Sequence, residues 1–183
     1  MRSKEPKEAQ MLGNHSQRLG VAFEDVITKV SEYYLSKGMG YIKKRYEPYK
    51  RVGKPLSGSR FIGIHTGASG PDFEVFLRNG KSGLLEMKMR TSKYVPLAIL
   101  NEKQIEELSL MDSWGYLSLI CLYLNIDDGG FFVIPFSEWK HTKKKSLNLE
   151  DFAKFRITSY LGTQKEIPDI LGAYINDSPT GVQ

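Results

Sequence analysis

Two carboxylates and an amine stand at a spacing that could bind a metal and act on a phosphate. Asp72 follows Gly70-Pro71, and fourteen residues later comes Glu86-Met87-Lys88. Side chains alternate across a strand, so Glu86 and Lys88 share one face while Leu85, Met87 and Met89 take the other. Between the two motifs, Arg78-Asn79-Gly80-Lys81 carries an Asn-Gly turn, a strong short-range hairpin signal. A hairpin here folds Asp72 back beside Glu86 and lets the three groups converge. Carboxylate oxygens are the ligands that Mg2+ and Mn2+ prefer, and one or two suffice where water and phosphate complete the octahedron. A lysine beside them can orient an attacking water or neutralise charge developing on phosphate. The same spacing also fits a solvated strand face. What favours chemistry is the company: Glu86 and Lys88 interrupt the otherwise apolar Leu84-Leu85-Glu86-Met87-Lys88-Met89, where ionised groups are costly to bury without a purpose.

The elements that must position these groups are legible from periodicity. From Ser16 to Leu35 the apolar residues Leu19, Phe23, Val26, Ile27, Val30, Tyr33 and Tyr34 recur at three- and four-residue steps, one face of an amphipathic helix. Gly38 and Gly40 end it, and Tyr41 to Lys44 reads as a short strand. Asp72 to Leu77 and Ser82 to Met89 are the two arms of the hairpin. Asn101 caps a helix that runs to Met111, with Gln104, Ile105, Leu108 and Met111 at helical spacing. Tyr116 to Leu124 is an apolar strand, Asp127 to Gly130 a turn, and Phe131 to Pro135 another strand. Ser137 then caps a short helix containing Trp139. This order predicts an α/β fold with a mixed central sheet flanked by helices. The length of 183 residues suits one domain, expected over 15–175 between a flexible tail at 1–14 and a second tail at 176–183.

Residues 45–69 interrupt the pattern. Their glycines and prolines argue against regular core structure through most of the segment, with Phe61 and Ile64 as a brief strand or anchor. Long connections of this kind are usually functional or disordered. Lys43, Lys44, Arg45, Lys50, Arg51, Lys54 and Arg60 place seven positive charges within eighteen residues, interleaved with Tyr46 and Tyr49. The whole chain carries a formal net charge of +5. That balance points to an acidic partner, and nucleic acid is the commonest for a small basic protein. The basic segment is expected to project from the sheet and contact DNA.

Other features exclude rather than assign. Cys121, the single cysteine, lies in an apolar run, so it forms no intrachain disulfide and reads as a small buried hydrophobe. The absence of disulfide staples suits a reducing cytosol. The polar opening lacks a signal-peptide core, and no apolar stretch is long enough for a membrane span; the expected location is cytoplasmic. His15, His65 and His141 are scattered without the pairing of a zinc site or a triad. Lys143-Lys144-Lys145 reads as a solvated charge run, and Tyr33, Tyr34, Trp114 and Trp139 as core or interface aromatics.

Pro71-Asp72 and Glu86-Met87-Lys88 resemble the PD-(D/E)xK nuclease signature, on the hairpin where that superfamily carries it. Arg18-Leu19-Gly20-Val21-Ala22-Phe23-Glu24, with Tyr33-Tyr34 and then Lys43-Lys44, is similar to the opening helix and strand of RecU-type Holliday junction resolvases. Lys103-Gln104-Ile105 falls where that family has a glutamine after its Glu-x-Lys strand. Phe131 to Trp139 resembles its later strand and aromatic-bearing helix. The likeness covers about residues 13–140. It implies Asp72 and Glu86 as metal ligands, Lys88 as a transition-state stabiliser, Glu24 as a metal ligand or a carboxylate behind the ligands, and Gln104 as a further active-site residue. Arg18 joins the basic residues above as an expected DNA contact. One departure stands out: the family commonly has a threonine where this chain has Gly70. The implied activity is Mg2+-dependent hydrolysis of DNA, with Mn2+ able to substitute, on branched four-way junctions cut by a homodimer. The alternatives are a restriction- or repair-type PD-(D/E)xK nuclease and a non-catalytic DNA-binding protein on the same scaffold. The intact Asp72, Glu86 and Lys88 speak against the last.

Overall fold

A computed structural model describes residues 24–46, 49–52, 62–65, 67–162 and 167–176, with the backbone alone for Tyr49 to Arg51, Ile62 and His65. In chain order the elements begin with α1 (residues 24–36). There follow β1 (Gly40–Lys44), β2 (Tyr49–Val52), β3 (Ile62–His65), β4 (Phe73–Leu77), β5 (Ser82–Arg90) and β6 (Val95–Pro96). A 3-10 turn at Leu97–Ile99 leads to α2 (Glu102–Ser113), then β7 (Leu117–Leu124), β8 (Gly130–Pro135) and α3 (Phe136–Lys140). The C-terminal part holds β9 (Ser146–Leu147), α4 (Leu149–Phe152), β10 (Tyr160–Leu161), β11 (Ile167–Pro168) and α5 (Gly172–Asn176).

The centre is a five-stranded sheet in the order β1-β4-β5-β7-β8. Neighbours are antiparallel except β5 and β7, which run parallel from Gly83↔Leu117 to Arg90↔Leu124. A parallel pair needs a crossover connection, and here that connection carries α2. The α/β class with a mixed, helix-flanked sheet is therefore what the chain adopts. Alternation divides the core in two. Leu85, Met87, Leu119 and Cys121 face a cluster built with Ile27, Val30 and Tyr34 of α1. Leu84, Ile120, Leu122 and Leu124 face the opposite cluster, which takes in Leu108 of α2, Phe136 and Trp139 of α3, and Phe152 of α4. Cys121 is fully buried, which pushes its thiol up to about 12. Among the described residues no helix is long and apolar enough to cross a membrane.

Several details differ from the sequence expectation. Gly38, at φ +60°, ends α1, whereas Gly40 is already the first residue of β1. Ser137 does not cap α3: the N-cap is Pro135, without a side-chain bond, and Ser137 lies inside the helix. The basic segment holds a hairpin of its own, β2 against β3 from Tyr49↔His65 to Val52↔Ile62, and among the described residues it is hydrogen-bonded to no strand of the central sheet. Ile64 belongs to its second strand, and Phe61 lies outside the described residues.

Candidate active site

The turn at Asn79-Gly80 places β4 against β5 with Phe73 opposite Leu85, which sets Asp72 beside Glu86. Gly80 takes φ +84°, the left-handed conformation this turn requires. Asp72 N–H donates to Glu86 Oε2 at 3.2 Å, and Met87 N–H donates to Asp72 Oδ2 at 3.0 Å. Each carboxylate is thus held by backbone from the other's strand. Lys88, two residues on and so on the same face, puts Nζ 2.6 Å from Glu86 Oε1. Glu86 is fully buried and Asp72 partly buried.

The fourth member arrives on α2. Asn101 accepts from Gln104 N–H, and Asn101 N–H donates to Gln104 Oε1, closing a capping box. With its oxygen occupied at the cap, the buried Gln104 directs Nε2 to Glu86 Oε1 at 2.7 Å. The four residues Asp72, Glu86, Lys88 and Gln104 are therefore one connected cluster.

Burial, first, and then the neighbouring Asp72 push the Glu86 carboxyl up to about 7, against the pull of Lys88. Burial also raises Asp72, partly offset by the Met87 N–H and by Lys88. Two desolvated carboxylates held together against their mutual repulsion, with hard oxygen donors, suit a divalent cation. Among the described residues no group of three or more His, Cys, Asp and Glu could hold a metal. Water and phosphate would complete the shell of a cation bound by Asp72 and Glu86.

Glu24 stands apart from this cluster. It is exposed at the start of the described part of α1 and is hydrogen-bonded to Lys44, although its charge raises Asp72. Lys43 is exposed and pairs with Glu74 at 3.4 Å. Arg45 lines a cleft of about 180 Å³ beside Asp72. Lys50 and Arg51 are in β2, described by backbone alone, and Arg18, Lys54 and Arg60 lie outside the described residues.

Sequence reasoning missed the far wall of that cleft. Lys103 and Glu107 of α2 line it together with Tyr46, Ala68, Ser69, Gly70 and Pro71. Glu107 bonds to Arg45 Nη1 at 2.6 Å. The available signal was spacing: positions 103 and 107, four apart on α2, share a helical face and bracket Gln104.

No curated protein matches the chain. Among solved structures, the chain is similar to Archaeoglobus fulgidus Hjc, a Holliday junction resolvase from an archaeal hyperthermophile, at 16% identity and TM-score 0.37, over 56% of this chain and 78% of that one. The sequence model of the family described as RecU, recombination protein U, matches residues 18–171, and the chain belongs to that family of Holliday junction resolvases.

Proposed function

We propose that this protein is a metal-dependent endonuclease that resolves four-way DNA junctions as a homodimer, with Mg2+ as its cation and Mn2+ able to substitute. The observation that carries the reading is the interlocked pair Asp72 and Glu86, with Lys88 Nζ 2.6 Å from the buried carboxylate. Asp72 and Glu86 would hold the cation, which when bound polarises the phosphate and lowers the pKa of a coordinated water. Lys88 then stands where charge develops on the phosphate or where a water must be oriented. Gln104 fixes the rotamer of Glu86 through the bond to Oε1. Lys43, Lys44 and Arg45 flank the site on β1 and its exit, as DNA contacts beside it. A two-fold junction needs two strands cut, which suits paired sites on a symmetric dimer. A DNA substrate and the lone buried Cys121 go together with a cytoplasmic location.

The test is cleavage of labelled junction, duplex and single-stranded DNA with and without Mg2+. The parent should cut the junction, and only with the cation. Asp72→Asn and Glu86→Gln should each abolish cleavage while junction binding largely survives, because phosphate contacts from Lys and Arg supply most affinity. Near-normal turnover in Glu86→Gln would overturn the assigned site.

A further inference from the structure

At the mouth of the cleft two cations share one carboxylate. Glu107 accepts from Arg45 Nη1 at 2.6 Å and its other oxygen lies 3.7 Å from Lys103 Nζ, which also bonds to Glu106 at 3.0 Å. Arg45 also donates to the Pro71 carbonyl at 3.4 Å, which fixes its side chain one residue from Asp72. The carboxylate occupies the space above Gly70: a Cβ there would meet both Glu107 oxygens at 2.6 Å. The absence of a side chain at position 70 is therefore what admits Glu107.

A carboxylate and a phosphodiester offer a guanidinium the same pair of oxygens, and arginine binds either in bidentate fashion. Lysine adds a point charge to the same anion. The Arg45, Lys103 and Glu107 side chains are 31%, 44% and 21% exposed, so solvent reaches the pair and breaking it costs little. Among the described residues Glu107 forms no metal-holding group of three with Asp72 and Glu86.

We propose that Arg45 and Lys103 form a phosphate subsite next to the catalytic carboxylates, and that Glu107 fills it in the free protein until a DNA phosphate displaces it. This deepens the nuclease reading and rests on it. Glu107 keeps the Arg45 guanidinium at the cleft, and Lys103, bonded to Glu106 at 3.0 Å, brings a second positive charge beside it. Glu107 also sets a threshold, because DNA seated loosely across the cleft does not displace it. DNA anchored by further contacts does.

Two substitutions remove the occupant by different routes. Glu107→Gln removes its charge. Gly70→Ala pushes it aside with a methyl group, at a position whose φ is outside the left-handed region and against the far end of a flexible side chain. Binding of four-way junction DNA is measured with the cation chelated, so that nothing is cut. Both variants should bind about three- to fivefold tighter than the parent, the scale of one exposed ion pair. Arg45→Ala should bind more weakly than the parent and should cancel the gain of Glu107→Gln when the two are combined. Affinity that is unchanged or lower in both variants, with parental melting temperatures, overturns the proposal. So does a gain that persists in the Arg45→Ala background, which is general charge removal. If Glu107→Gln fails to fold, Gly70→Ala decides alone. Metal-dependent cleavage by the parent is assayed in the same preparations. A parent that cuts no DNA overturns the nuclease reading, whereas a cutting parent with no tighter variants overturns this subsite only.

Discussion

Lys88 Nζ stands 2.6 Å from Glu86 Oε1, on a side chain only 21% exposed. In the proposed mechanism this side chain would offset the charge of the carboxylates in the ground state and meet the charge that develops on phosphate in the transition state. Lys88→Ala should therefore lose roughly 10² in single-turnover cleavage rate, the scale of one stabilising group removed. A rate equal to the parent would make Lys88 a surface residue and the motif a coincidence. The carboxylates give a second expectation, on stability. Glu86 moves from 4.5 up to about 7 on folding, and Asp72 also rises, both chiefly through burial. A carboxyl raised in the folded state binds its proton more tightly there than in the unfolded chain. Its contribution is complete below the unfolded value and is lost as pH climbs through about 7. In chelator the melting temperature should fall between pH 5 and pH 8 for this reason. A divalent cation should restore more at pH 8 than at pH 5, since it binds the ionised pair. Melting curves in the four conditions decide it, and a cation effect independent of pH would contradict the coupling.

Tyr34 of α1 is fully buried, donates to Asp169 Oδ1 at 2.5 Å and accepts from Leu171 N–H at 2.9 Å. Burial raises its phenol well above the ordinary value. This hydroxyl ties the first helix to the turn that precedes α5, across more than a hundred residues of chain. Tyr34→Phe leaves the buried Leu171 N–H, and one oxygen of the half-buried Asp169, short of a partner, which should cost about 1–3 kcal/mol. Amide exchange at Leu171 to Ile175 should accelerate more than exchange in β5 or β7, because α5 loses its tether first. Uniform acceleration would show that the hydroxyl serves global stability alone. The same bond shows where the sequence stops being readable. Alternation in Leu84–Met89 is a local signal, and it separated Glu86 and Lys88 from Leu85 and Met87 as the folded sheet does. The Asn101 cap and the Asn79-Gly80 turn are likewise written in a few adjacent residues. The bond from Tyr34 to Asp169 is not, since nothing near either residue names the other. The pairs β6 with β9 and β10 with β11 are two residues long, too short for any period. The hairpin in the basic segment was missed because glycine and proline around it read as breaks, and pairing along β2 and β3 overrides that composition. At the site, Asp72, Glu86, Lys88 and Gln104 came from motif and spacing, whereas Glu107 meets Arg45 only through the approach of α2 to Gly70.

On the scale of the whole molecule, the basic segment begins and ends at the cleft beside Asp72. Arg45 N–H donates to the Asp72 carbonyl at 2.8 Å, and the chain returns through Ser69 and Gly70 on the same cleft wall. Between them, among the described residues, β2 and β3 pair only with each other. A cationic hairpin rooted beside a nuclease site is drawn toward the open centre of a junction, where phosphates from four strands crowd together. The proposed homodimer would present two such hairpins to one junction, and sedimentation should show that dimer at micromolar concentration. Neutralising Lys50, Arg51 and Lys54 together should then weaken junction binding and flatten its salt dependence, by roughly 0.9 in log–log slope for each phosphate that is no longer neutralised. Duplex binding should fall less, because a single duplex cannot meet both hairpins at once. Cleavage at saturating junction should keep most of its rate, since Asp72, Glu86 and Lys88 are untouched. Equal losses on junction and duplex would reduce the hairpin to a general phosphate clamp. A parent that sediments as a monomer while cutting one strand would shift the reading toward a nicking or restriction-type enzyme.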